Sequence, residues 1–131
     1  MIGLDTNVLV RYIMQDDAKQ SPQATKLMES LDTDQQGFVS LVSIVELYWV
    51  LTSCYDLSGQ QVKQALESLL RTKQVIVDRA DQVLRALRVF DDGKADFADC
   101  LIERTASSAG CTETMTFDVG AAKHAGMRLI R

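Results

Sequence analysis

The sequence predicts an α/β domain, a three-layer αβα sandwich around a central, mainly parallel sheet of about five strands. Apolar runs of strand length alternate with longer segments of helical period, which is how a parallel sheet covered by helices reads in sequence. The 131 residues are enough to bury one core, and one Pro with seven Gly leaves no room for a long linker. A single domain over residues 1–131 is therefore expected.

The first strand is expected over residues 1–4. After Asp5, Val8, Leu9, Tyr12 and Ile13 recur at helical spacing. Ser21-Pro22 opens a second helix with Ala24, Leu27, Met28 and Leu31 on one face, until Gly37 breaks the pattern. A short strand at 38–41 follows. Ser43 is then placed to cap a helix over 44–54, with Glu46 at its third position as the partner in a capping box. Ser58 opens a helix through Leu70, residues 75–77 form a strand, and Asp81 begins a helix that Asp91-Asp92-Gly93 ends. A helix over 96–109 stops at Gly110. A strand at 115–117, a short helix at 120–124 and a strand at 127–130 complete the series.

The net charge of −4 argues against coating nucleic acid by bulk electrostatics, although Arg11, Lys19, Lys94, Arg104 and Lys123 offer a local basic rim. Three cysteines without a CxxC, two of them inside apolar helical patterns, suit reduced thiols packed as small hydrophobes. No secretory signal and no run of membrane-spanning length is recognisable, so the cytoplasm is the expected compartment.

The chemistry lies in the acids at element boundaries. Asp5 follows the first strand, Asp118 follows the fourth, Asp96 and Asp99 share a helix start, and Glu46 lies early in its helix. In a parallel sheet such positions converge outside the carboxyl ends of the strands. Carboxylates gathered there repel one another unless a cation holds them, which points to a divalent metal. Each acid alone also has a structural explanation, because helix N-termini favour anions and carboxylate caps are common. Asp5 is the hardest to explain that way, since it directly follows a buried strand and precedes only Thr6 and Asn7.

Four segments carry a family resemblance: Leu4-Asp5-Thr6-Asn7-Val8-Leu9-Val10-Arg11-Tyr12, Ser43-Ile44-Val45-Glu46-Leu47, Asp96-Phe97-Ala98-Asp99-Cys100-Leu101-Ile102 and Thr116-Phe117-Asp118. In this order they resemble the acidic motifs of PIN-domain ribonucleases, VapC-type toxins above all. The resemblance implies a PIN-like fold and hydrolysis of RNA phosphodiester bonds with Mg²⁺ or Mn²⁺. It places Asp5, Glu46, Asp99 and Asp118 on the metal-binding acidic positions, with Asp96 as an additional acid beside Asp99. Asp5 and Asp99 are the expected direct ligands, while Glu46 and Asp118 bind through water, orient the nucleophile or complete a second metal site. Thr6, Asn7 and Thr116 resemble the small polar residues that orient the carboxylates. A homodimer, a cognate antitoxin protein and an RNA substrate, transfer RNA among the candidates, are implied as partners.

Other classes lack their residues. GxGxxG, GxxxxGK[ST] and GxSxG are absent, and His124 reads as a surface helix residue. Asp16 and Asp17 read as caps of the turn before Pro22. The apolar band Leu47 to Leu51, with Met14, Leu27 and Met28, reads as core with a partner surface as the alternative. Two further readings stand beside the nuclease: a catalytically silent PIN scaffold, and a Mg²⁺-binding receiver-like regulatory domain. The receiver reading would need paired acids after the first strand and a strand-end lysine, neither of which is apparent.

Overall fold

The computed structural model describes residues 1–91 and 94–131, so Asp92 and Gly93 of the expected helix end lie outside the described residues. It divides into two compact units, Met1–Asp78 and Arg79–Arg131. The first contains β1 (Ile2–Gly3), α1 (Thr6–Met14), α2 (Gln20–Glu29), β2 (Gly37–Val39), α3 (Leu41–Ser53), α4 (Gly59–Arg71) and β3 (Val75–Val77). The second contains α5 (Ala80–Asp91), α6 (Phe97–Ser108), β4 (Met115–Thr116), α7 (Val119–His124) and β5 (Arg128–Leu129).

In the first unit the strands pair in parallel in the order β1-β2-β3, with Ile2 opposite Gly37 and Gly37 opposite Val75. The core faces follow the sequence periods. Ile44, Leu47 and Leu51 bury one stripe of α3, and Val62, Leu66 and Leu69 one stripe of α4. Gly37 starts β2 where a break was expected, because a Cβ there would stand 2.8 Å from Leu4 Cδ1 and 3.0 Å from Leu31 Cδ1. Its lack of a side chain admits two buried leucines.

In the second unit α5 and α6 pack together through Val83, Ala86, Leu87, Cys100 and Leu101, and the Phe90 and Phe97 rings meet edge to face at 6.0 Å. Gly110, at φ +99°, ends α6 as expected. Its N–H donates to the Ser107 carbonyl and that of Cys111 to Ala106, the paired bonds of a left-handed helix terminus. Then β4 and β5 pair in parallel around α7.

The fold is thus mixed α/β, with helices flanking two small parallel sheets, and the expected single sheet of about five strands is corrected to sheets of three and two. Strand length is the physical reason. With two residues, β1 has few ladder bonds to give, and Ile2 and Leu4 donate theirs to the carbonyls of Gln36 and Phe38, each at 2.8 Å. The corresponding donors at β5, Arg128 within it and Ile130 just after it, bond to the carbonyls of Thr114 and Thr116.

Helix starts hold one further correction. Ser40, rather than Ser43, caps α3: its Oγ accepts from the Ser43 N–H at 3.2 Å, and the helix begins at Leu41. The α2 start is held by Asp17, whose Oδ1 accepts from Lys19 and Gln20 N–H at 3.0 and 2.6 Å. Ser58 and Gln61 form the capping box of α4. Among the described residues no helix is long and apolar enough to cross a membrane.

Candidate active site

Within the first unit, β1 runs into α1 and β2 into α3, so both helices begin at the same edge of the parallel sheet. Asp5 occupies the N-cap of α1, yet its Oδ1 accepts from the Thr6 N–H at 2.9 Å rather than from the second or third helical residue, which a capping carboxylate normally serves. The next residue is unusual as well. Thr6 is buried, and its Oγ1 has no hydrogen-bond partner among the described residues. An unpaired buried hydroxyl costs about 1–3 kcal/mol, and a bound water, an ion or a catalytic role are the explanations such a group calls for.

Glu46 loses its structural explanation. With α3 starting at Leu41, Glu46 is the sixth helical residue, in the second turn, and cannot reach back as a capping-box partner. Its side chain is exposed on the outer face of the helix. Asp78 follows β3 as Asp5 follows β1, so it is one more acid at this sheet edge. The same strand-then-acid pattern in Val75-Ile76-Val77-Asp78 was available in the sequence to find it.

A groove of about 290 Å³ runs beside the α1 start, lined by Asn7, Val8, Arg11, Gln20, Gln23 and Leu27 among others. Arg11 is already committed in it, donating from Nε to Gln20 at 2.8 Å and from Nη1 to Asp16 and the Tyr55 hydroxyl. Tyr55 in turn donates to Asp16 Oδ2 at 2.7 Å, which is the main cause of an Asp16 carboxyl below its usual range.

Within the second unit the structure brings three of the expected acids together. Asp96 caps α6, its Oδ1 accepting from the Asp99 N–H at 3.2 Å, and Asp118 caps α7, its Oδ1 accepting from Gly120 at 2.7 Å and Ala121 at 3.2 Å. Thr116 accepts the Asp118 N–H on its Oγ1 at 3.0 Å and so fixes the approach to that cap. Asp99 lies in the first turn of α6, and its carboxyl is raised above the ordinary range, first by partial burial and then by the charges of Asp96 and Asp118. Both caps use only Oδ1, which leaves each Oδ2 as a carboxylate acceptor.

This donor set fits a hard cation in chemical kind, because Asp99 sits under repulsion that a divalent ion would relieve. It is not a preformed cage: among the described residues no group of three or more His, Cys, Asp or Glu is arranged to hold an ion. Mg²⁺ retains several waters and needs few direct carboxylates.

Other sequence expectations have mixed outcomes. Two of the expected basic-rim residues are already engaged, Arg11 as above and Arg104 in a two-pronged bond to Glu103. Cys54 is exposed at the end of α3 rather than packed, as is Cys111, whereas Cys100 is buried. In the Leu47 to Leu51 band, Leu47 and Leu51 are core and only Trp49 is exposed, together with Val42 and Val45 on the same face.

The PIN domain family model matches residues 2–127, through both units. A VapC ribonuclease of Aquifex aeolicus (strain VF5) is 23% identical over 114 residues, covering 87% of this chain and 84% of that protein. With a family match of that extent over this order of strands, helices and boundary acids, the chain belongs to the PIN domain family.

Proposed function

We propose that this chain is a metal-dependent endoribonuclease, the toxin of a toxin–antitoxin pair, with Asp5, Glu46, Asp99 and Asp118 as metal-binding acids and Asp96 as an auxiliary acid. The observation that carries the reading is the gathering of Asp96, Asp99 and Asp118 at the starts of α6 and α7, where burial and the two neighbouring carboxylates raise the Asp99 carboxyl, in a family for which hydrolytic chemistry is expected. The likeness to a VapC ribonuclease supports RNA as substrate; a cognate antitoxin and a homodimer as partners, and the cytoplasm as the place of action, belong to the same proposal.

Bound Mg²⁺ or Mn²⁺ would supply Lewis-acid polarisation of a phosphate oxygen and acidify an attacking water. The chain's own residues do the rest. Asp118 is held by two backbone N–H donors on Oδ1, so its Oδ2 is presented in a fixed direction without further side-chain ordering. Asp96 is held by one backbone donor, the Asp99 N–H on its Oδ1. Asp99 would be one of the residues to hold such a cation, whose charge would offset the repulsion from Asp96 and Asp118. Thr6 brings a hydroxyl with unused hydrogen-bonding capacity next to Asp5.

A catalytically silent scaffold is the reading favoured by one observation, that Asp96 and Asp118 each have a complete structural role as helix caps. Metal titration separates the two. Purified wild type should cleave RNA on addition of Mg²⁺ or Mn²⁺ and stop with chelator, and Asp5→Asn and Asp99→Asn should each lose cleavage while remaining folded. Cleavage that needs no metal, or that survives both substitutions, would remove the proposed site.

A further inference from the structure

The groove of about 290 Å³ between α1 and α2 lies wholly within the first unit. Its floor is apolar, made by half-buried Val8 and Leu27 and buried Ala24. Amides form its rim. The side chains of Asn7 and Gln23 make no hydrogen bond among the described residues, and Gln20 uses only Oε1, on which it accepts from Arg11 Nε. All three amides therefore keep N–H donors for a ligand, and Asn7 and Gln23 keep their acceptors as well. Arg11 adds a flat surface. Its guanidinium is held by Gln20 at Nε and by Asp16 and the Tyr55 hydroxyl at Nη1, while its side chain stays 32% exposed. A guanidinium fixed in this way is a stacking plane, and Asp16 already offsets its charge. Little is left over to attract an anion.

We propose that this groove is a binding slot for an adenine ring, carried either by a free nucleotide or by an RNA chain. Small-molecule pockets run upward from about 300 Å³, so 290 Å³ suits one ring system and not an apolar helix, whose anchors recur over two turns. The rim is neutral and offers donors and acceptors together, which fits the edge of a heterocycle rather than a phosphate, a carboxylate or an ammonium group. Between the purines the residues choose adenine. A carboxamide pairs bidentately with adenine N6 and N7, whereas guanine takes its O6 and N7 bonds from Arg or Lys. The groove's one cation, Arg11, has Nε and Nη1 already engaged.

The slot goes beyond the nuclease reading and does not depend on it. None of its lining residues is one of the acids proposed above as metal ligands, and holding the ring needs neither metal nor cleavage. Its test can therefore be run on the wild-type chain without metal.

Adenosine monophosphate and a short oligoadenylate are the two probes, followed by calorimetry and by the side-chain amide resonances of Asn7, Gln20 and Gln23. Either should shift those resonances saturably and bind roughly 5- to 150-fold more tightly than its guanine counterpart. Gln23 is exposed on α2, so Gln23→Ala leaves the core intact and should remove that preference. Arg11→Lys keeps the charge but loses the plane, and should weaken adenine and guanine alike. Shifts with the mononucleotide assign the slot to free nucleotides; shifts with oligoadenylate alone, oligocytidylate being inert, assign it to an RNA base. No response to either probe, equal affinity for the two purines, an unaltered Gln23→Ala, or shifts that avoid α1 and α2 overturns the inference. So do amide shifts that follow protein concentration without ligand, which would make the groove a contact between two copies. A wild type that fails to cleave RNA with Mg²⁺ or Mn²⁺ bears on the nuclease reading alone.

Discussion

Asp118 combines two tasks that can be separated by two substitutions at one position. As the cap of α7 its Oδ1 takes the N–H groups of Gly120 and Ala121, and the short helix it starts anchors Ala121 and, just beyond its end, Ala125 in the core. Removing a capping side chain costs about 0.5–2 kcal/mol. Because Asp118 is exposed, water replaces part of what is lost, and about 1 kcal/mol is expected for Asp118→Ala. In a chain of 131 residues that lowers Tm by about 3–5 °C. Asp118→Asn keeps a capping oxygen. It loses the charge that the helix dipole favours but also the repulsion exerted on Asp99, two effects of opposite sign, so it should stay within about 0.5 kcal/mol of wild type. Urea unfolding with an unchanged slope is the assay for both, and RNA cleavage should be lost in both. Equal destabilisation by Asn and Ala would refute the capping argument. Wild-type cleavage by Asp118→Asn would take Asp118 out of the site.

Asp99→Asn should raise stability at pH 7 while abolishing cleavage. Because the folded Asp99 carboxyl is raised, its ionised form opposes folding, and the gain should fade as pH falls through that raised folded value toward the unfolded value of about 3.9, as thermal melts across pH would register. Ser40→Ala should cost about 1 kcal/mol and Ser43→Ala clearly less; the reverse order in urea unfolding would return the α3 cap to Ser43. The buried Cys100 thiol is pushed up to about 11, chiefly by burial and further by Asp96 and Asp99, leaving roughly one thiolate in a thousand at pH 8. Native alkylation followed by mass spectrometry should therefore modify Cys54 and Cys111 quickly and Cys100 only on unfolding.

Local signals in the sequence were sufficient where one residue decides an outcome. The Gly110 terminus and the helix start at Ser58 depend on a few consecutive residues, and both form as expected. Asp17 likewise caps as expected. Ser40 and Ser43 defeated the same logic, since both are capping residues three positions apart and only the end of β2 selects between them. That choice moved Glu46 from a capping position to an exposed second turn. Cys54 was misread because helical period does not say which turn is the last to be covered.

The sequence by itself determined the α/β class, the order of elements and the acids at their boundaries, because hydrophobic period and turn residues act over a few neighbouring positions. It could not determine strand pairing: two-residue strands such as β1 and β4 carry no register information strong enough to say which edge they will join. Nor could it show that Asp96, Asp99 and Asp118 share one field, or that Thr6 buries its hydroxyl unpaired. Those properties depend on distances between groups remote in sequence and on which of them lose water, and folding alone sets both.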